Sequence, residues 1–247
     1  MIRAGTFVSF ALFLLGAGGC GTHVNENIPQ YPLTDAASSV RLVAEHARQV
    51  HSLTGEGLIT LTRPDGESVR LDAAMAMQPP ARARMRAWKF GRAVFDLTVT
   101  PEGVWAVIPE DPERKEQITS AGVSAAKLAR TWSVLSGGFF ESAGLKAETR
   151  GSNLLVRRET PDEPMVVCEV DRSTLTPRKY SMLDDKGVTR FTLSLEQYRQ
   201  FGSVVWPTKL TAVSDSGRVE IELRDLEINP ELEPAAFIPP RRAEKLP

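Results

Sequence analysis

Histidine and cysteine are scarce in this chain: three of the first and two of the second occur among 247 residues. His23, His46 and His51 all precede the strand-rich region, and no acid–His–Cys grouping with metal-ligand spacing accompanies them. No metal site and no cofactor are therefore expected. The same distribution leaves no Ser/His/Asp or Cys/His set for nucleophilic chemistry. A phosphate-cradling glycine loop is missing too, and Asp184-Asp185 reads as a turn rather than a carboxylate dyad. The chain is not expected to be an enzyme, and no catalytic residue is assigned. Charge of one sign is also lacking: the formal net charge of −1 provides no basic field for nucleic acid, so no nucleic-acid partner is expected. Nor does a long Pro/Gly/Ser linker divide the body, which favours one folded unit. Cys20 and Cys168 lie in contrasting contexts, and a disulfide between them is not expected. Cys168, in Met165-Val166-Val167-Cys168, reads as a small buried hydrophobe.

What the chain does have is alternation. From Leu58 to Ile108 five successive strands are predicted, joined by short turns. Val69, Leu71, Ala73, Met75 and Met77 fall on one face of the second, with Ser68, Arg70, Asp72, Ala74 and Ala76 on the other. Ala83, Met85 and Ala87 alternate with Arg82, Arg84 and Arg86 in the third. Successive side chains of a strand point to opposite faces, so this pattern describes a sheet with one apolar and one wet side. Pro64-Asp65-Gly66-Glu67 and Pro101-Glu102-Gly103 are turn sequences too short for a parallel crossover. The arginine stripe has two readings: a solvated outer face, or a contact for anionic headgroups or an acidic partner.

The N-terminus reads as an address. Arg3 provides a positive start and Phe7 to Leu15 an apolar run, shorter than the ~20 residues that span a bilayer. Leu15-Gly16-Ala17-Gly18-Gly19-Cys20 resembles the lipobox of bacterial lipoproteins, with Ala17 where Leu is more usual. That resemblance implies a signal peptide over residues 1–19 and lipidation of Cys20. It also implies outer-membrane delivery, because Gly21 is not the Asp that retains lipoproteins in the inner membrane. An ordinary secretory signal that happens to end in Cys is the alternative. Loss of residues 1–19 removes Arg3 and no acid, which takes the mature chain to −2. Residues 20–33, with Pro29 and Pro32, read as a tether.

A helix is predicted from about Asp35 to His51, because Val40, Val43, Ala44, Ala47 and Val50 share one face. A second follows Pro109–Glu116, carried by Ala125, Leu128, Ala129, Trp132 and Leu135 and ended by Gly137-Gly138. An apolar helix face must be buried, and the apolar side of the sheet is the natural place for both. Strands resume near Leu145, continuing through 153–158, 165–170, 178–183, 189–195, 209–213 and 219–223. At Asp225 the apolar parity flips to Leu226 and Ile228, which predicts a bulge or a sheet edge. Phe237 is expected to be buried and residues 241–247 to be frayed.

In this order the chain is similar to the LolA/LolB superfamily of bacterial lipoprotein carriers over residues 34–240. The similarity rests on an early helix leading into Gly55-Glu-Gly-Leu-Ile-Thr-Leu and on hairpins interrupted by a helical insertion. Its ending is Trp206-Pro207-Thr208-Lys209-Leu210, a last hairpin, Asn229-Pro-Glu-Leu232 and Phe237. The resemblance implies an α+β, mainly β fold. Its core is a single curved, unclosed, barrel-like antiparallel sheet whose open apolar side is covered by helices. A closed barrel or a two-sheet sandwich is the alternative. The resemblance further implies an acyl-binding cavity, and Cys20 makes the chain more like the lipid-anchored members. Parity then places Leu71, Met75, Met85, Phe95, Phe191 and Leu193 on the sheet side of such a cavity, with Leu128 and Trp132 on its lid. A filled core made by the same residues is the other reading. Implied partners are the membrane, through Cys20, and acyl chains of phospholipid or lipoprotein. A non-carrier envelope lipoprotein that uses the fold to bind or sense a protein is the competing function.

Overall fold

A computed structural model describes residues 28–107, 131–132, 134–159 and 164–246. The predicted alternation becomes strands β1 (Leu53–Thr62), β2 (Ser68–Gln78), β3 (Arg82–Lys89), β4 (Arg92–Thr100) and β5 (Gly103–Val107). After the insertion come β6 (Leu145–Arg150), β7 (Asn153–Arg158), β8 (Met165–Asp171) and β9 (Thr176–Leu183). Then follow β10 (Thr189–Phe201), β11 (Val204–Ser214), β12 (Gly217–Ile228) and β13 (Glu244–Lys245). All thirteen belong to one antiparallel sheet in the order β13-β5-β4-β3-β2-β1-β12-β11-β10-β9-β8-β7-β6. The two runs of hairpins are welded where β1 pairs with β12. Among the described residues no ladder joins β6 to β13, so the sheet is open. The strand not expected from the sequence is the two-residue β13.

One face of this sheet is the core. Leu53, Ile59, Leu71, Met75, Met77 and Met85 on one half join Val156, Cys168, Tyr180, Leu193 and Leu210 on the other in a continuous buried cluster. Leu71 and Leu154 are 2% and 0% exposed, and each such side chain contributes about 1.5–3 kcal/mol through its removal from water. The predicted parity flip is a bulge. Glu56 faces Asp225 but Gly57 faces Leu223, so Arg224 has no opposite residue on β1. Gly57 is required there because a Cβ would lie 1.9 Å from the Glu222 carbonyl oxygen.

The helix α1 (Ala36–Arg48) starts at Asp35, whose side chain accepts from the Ser38 N–H at 3.0 Å. It packs on β6, β7 and the 3-10 turn Gly138–Glu141. Of the second predicted helix, residues 131–132 and 134–135 are helical, and Gly137 at φ 79° ends it. The remainder, Leu128 included, lies outside the described residues, as does Cys20.

On the polar face Arg82 and Arg86 are exposed, as a solvated stripe requires, and Arg84 between them is tied down. Arg84 grips Asp96 through two bonds of 2.9 and 2.7 Å and donates to the Ala236 carbonyl at 3.2 Å. Arg86 joins the same carboxylate at 3.2 Å. The 3-10 turn Pro234–Phe237 lies on β3 and β4 here, with Phe237 4% exposed. Beyond it the expected fraying gives way to pairing: Glu244 and Lys245 face Ala106 and Trp105 of β5, and the Leu246 N–H donates to Val104 at 2.8 Å. Two residues of backbone pairing leave no periodicity to read in advance.

Candidate functional site

The sequence-selected residues come together on the apolar face. Leu71, Met75, Met85 and Leu193 are buried, Trp132 is buried in the same core cluster, and Phe95 and Phe191 are half-buried against it. Their registers agree: Leu71 faces Ile59, Met75 faces Met85, and Met85 faces Leu97. Met75 and Met85 border a crevice of about 10 Å³ beside Gly55 and Gly57. In this half of the molecule side chains fill the interior.

Open space occurs elsewhere, under α1. A cleft of about 80 Å³ is walled by Val43, His46, Ala47 and Val50 of α1 and by Val134 to Gly137. Its far wall is the turn 174–177 with Tyr180, Leu195, Tyr198, Val204 and Trp206 of β9 to β11. Among the described residues, none of those assigned to a cavity from sequence lines it, although Val43, Ala47 and Val50 of the predicted helix face and Leu135 do. The apolar face of α1 was legible from helical spacing. Which part of the sheet it covers was not, because that depends on how the second run of hairpins, β6 to β12, is laid out beside the helix.

Several local devices shape this cleft. Asn229, at φ 60°, accepts from the His51 and Ser52 N–H groups at 2.7 and 3.3 Å and donates to the Gln49 carbonyl at 2.8 Å. One side chain thereby fixes the end of α1 to the end of β12. Gly137 lets the chain pass α1 closely, since a Cβ there would sit 2.3 Å from the Ala47 Cβ. Tyr198 donates its hydroxyl to the Pro177 carbonyl, and burial pushes the phenols of Tyr180 and Tyr198 well up, so both stay neutral. The Cys168 thiol behind Tyr180 is likewise pushed up by burial, which makes it a core residue with no thiolate to offer. His46 lies against Tyr31 with ring centroids 5.1 Å apart. Burial holds its imidazole below the ordinary range, with Glu45 opposing. The Trp206 indole N–H is buried without a hydrogen-bond partner among the described residues, an unusual state for a buried donor. The cleft thus offers an aromatic and aliphatic wall, neutral groups and few polar handles. Such a surface suits an apolar ligand.

No family model and no curated protein matches the sequence. Solved structures do match the fold. One is a domain from Vibrio parahaemolyticus described as an outer membrane lipoprotein-sorting protein, with 12% identity, 82% of this chain and 95% of that one covered, and a TM-score of 0.62. A LolA superfamily protein from Nitrosomonas europaea matches at 13% identity over 83% and 98% of the two chains, with a TM-score of 0.58. A DUF1329 family protein from Desulfovibrio piger matches at 11% identity over 83% and 98%, with a TM-score of 0.60. The fold is therefore LolA-like, as the order of elements in the sequence suggested.

Proposed function

We propose that this chain is a non-enzymatic, lipid-anchored envelope lipoprotein that binds acyl chains of lipids or lipoproteins. It faces the periplasm from the outer membrane, or is held at the cell membrane where no outer membrane exists. Cys20 carries the lipid in this reading, and residues 1–19 are removed. The observation that carries it is the apolar cleft under α1, set in a LolA-like fold and continuous with a buried apolar sheet face. A volume of about 80 Å³ is below the roughly 300–1,000 Å³ of ligand pockets. Admission of an acyl chain therefore moves α1 and residues 134–137 outward, with the Asn229 clasp as the fixed point. The helices then act as the cover of the open apolar side, and Trp132 with Leu128 belongs to that cover. Leu71, Met75, Met85, Phe95, Phe191 and Leu193 are the sheet surface along which a longer chain extends. Trp206 gives a donor for an ester or amide carbonyl at the head of the ligand.

Native mass spectrometry of the protein extracted from membranes tests this. Co-purified phospholipid or acylated peptide is expected; a protein that emerges empty and takes up no added lysophospholipid would contradict it. A second reading, an envelope protein that binds another protein, is favoured by one observation. Phe90 is 91% exposed at the β3–β4 turn, at φ 51°, between Lys89 and Arg92. An aromatic in that conformation carries a conformational cost, which suits a contact residue. Crosslinking from position 90 in intact cells separates the readings: a discrete protein adduct, with no lipid in the cleft, supports the second.

A further inference from the structure

The segment before α1 is fastened to the cleft rim. The Tyr31 N–H donates to the Ser173 carbonyl at 2.7 Å, and Arg172 donates to the carbonyls of Thr34 and Gly151, each at 2.9 Å. Asp171 holds that turn in shape by accepting from the Ser173 and Thr174 N–H groups at 2.8 and 3.2 Å. Tyr31 is itself part of the cleft wall, and Leu33 beside it is 62% exposed. The chain thus joins the folded body at the cleft.

Cys20 precedes Tyr31 by eleven residues. Eleven residues reach about 36–40 Å when fully extended and about 17–20 Å as a flexible coil. The turns at 63–67, 90–91, 184–188 and 215–216 lie at the opposite end of the strands. β9, with 8 residues, spans about 26 Å from turn 172–175 to turn 184–188. The tether therefore joins the body at the rim end, held there by the Tyr31–Ser173 bond, and the far turns lie a strand length further from its point of attachment.

We infer that the rim formed by turns 172–175 and 202–203 is the surface this protein turns toward the bilayer that holds residue 20. A lipid tail then passes between membrane and cleft without crossing water. The inference rests on the reading that Cys20 is lipidated. The exposed Leu33 meets the interface in this arrangement, and the Phe90 turn points into the aqueous space.

The test uses the full lipidated protein in phosphatidylethanolamine–phosphatidylglycerol vesicles with brominated acyl chains. A fluorophore is attached through Ser203→Cys at the rim or Asp185→Cys at the far end; Cys168 is fully buried and escapes labelling. Quenching severalfold stronger at position 203 than at 185 is expected. Equal quenching, or stronger quenching at 185, in protein that floats with the vesicles would overturn the orientation alone. Flotation that survives Cys20→Ser, or no flotation of the wild-type protein, would overturn the anchor and the orientation with it.

Discussion

Asn229 ties α1 to the sheet with three hydrogen bonds from one amide, and its left-handed backbone is one that Asn tolerates better than most residues. Asn229→Ala removes those bonds and leaves the N–H groups of residues 51 and 52 to find other partners. A loss of about 1–3 kcal/mol is expected, read as a lower urea midpoint with an unchanged slope. The pH dependence of the same region comes from His46. Burial depresses its folded pKa below the ordinary 6.5. Its contribution is thus present in full above about pH 6.5 and is lost as the pH falls from there through the folded value. The protein should be measurably less stable at about pH 5 than at about pH 7.5, and His46→Gln should shrink that difference; an unchanged difference would assign it to other groups. The sequence offered Asn229 as part of a closing pattern but gave no sign of its partner, which is 177 and 178 residues away for its two N–H contacts. Arg84 is similar: alternation placed it on the polar face, while its bond to Ala236 depends on where the C-terminal segment returns.

At the scale of elements, periodicity was informative wherever an element has one buried face. The β2 and β3 alternation and the apolar stripe of α1 each survive in the structure, and the parity flip at Asp225 is the β1–β12 bulge. An element of only two paired residues, such as β13, was silent. The bulge is also a point of fragility. Gly57→Ala forces a methyl against the Glu222 carbonyl, at 1.9 Å before relaxation, and should cost about 1–3 kcal/mol. Thermal unfolding measures this, and a Gly55→Ala variant is the comparison. There a Cβ would meet only the Leu223 and Leu226 side-chain tips at 3.2 Å and the Asp225 carbonyl oxygen at 3.4 Å, so the smaller effect is expected.

At the scale of the whole molecule, one apolar sheet face serves two ends differently: packed tight around Leu71 and Met75, and loosened into a cleft beneath α1. The sequence identified the apolar face but not this division, because the parity that places Leu71 and Leu193 on one face says nothing about which part of it a helix leaves open. Leu71→Ala, in the packed half, should cost about 2–5 kcal/mol; where the variant is folded, a short acyl chain held in the cleft alone should bind as before and a longer one should bind differently. The account is tested most directly by equilibrium binding of a fluorescent fatty acid to the parent domain and to Leu135→Trp, which places bulk in the cleft wall. Saturable binding to the parent that falls at least tenfold in Leu135→Trp, with the variant's unfolding midpoint unchanged, is the predicted result. Binding that is equal in both proteins, or no binding by the folded parent, would contradict the assignment of the cleft as an acyl site.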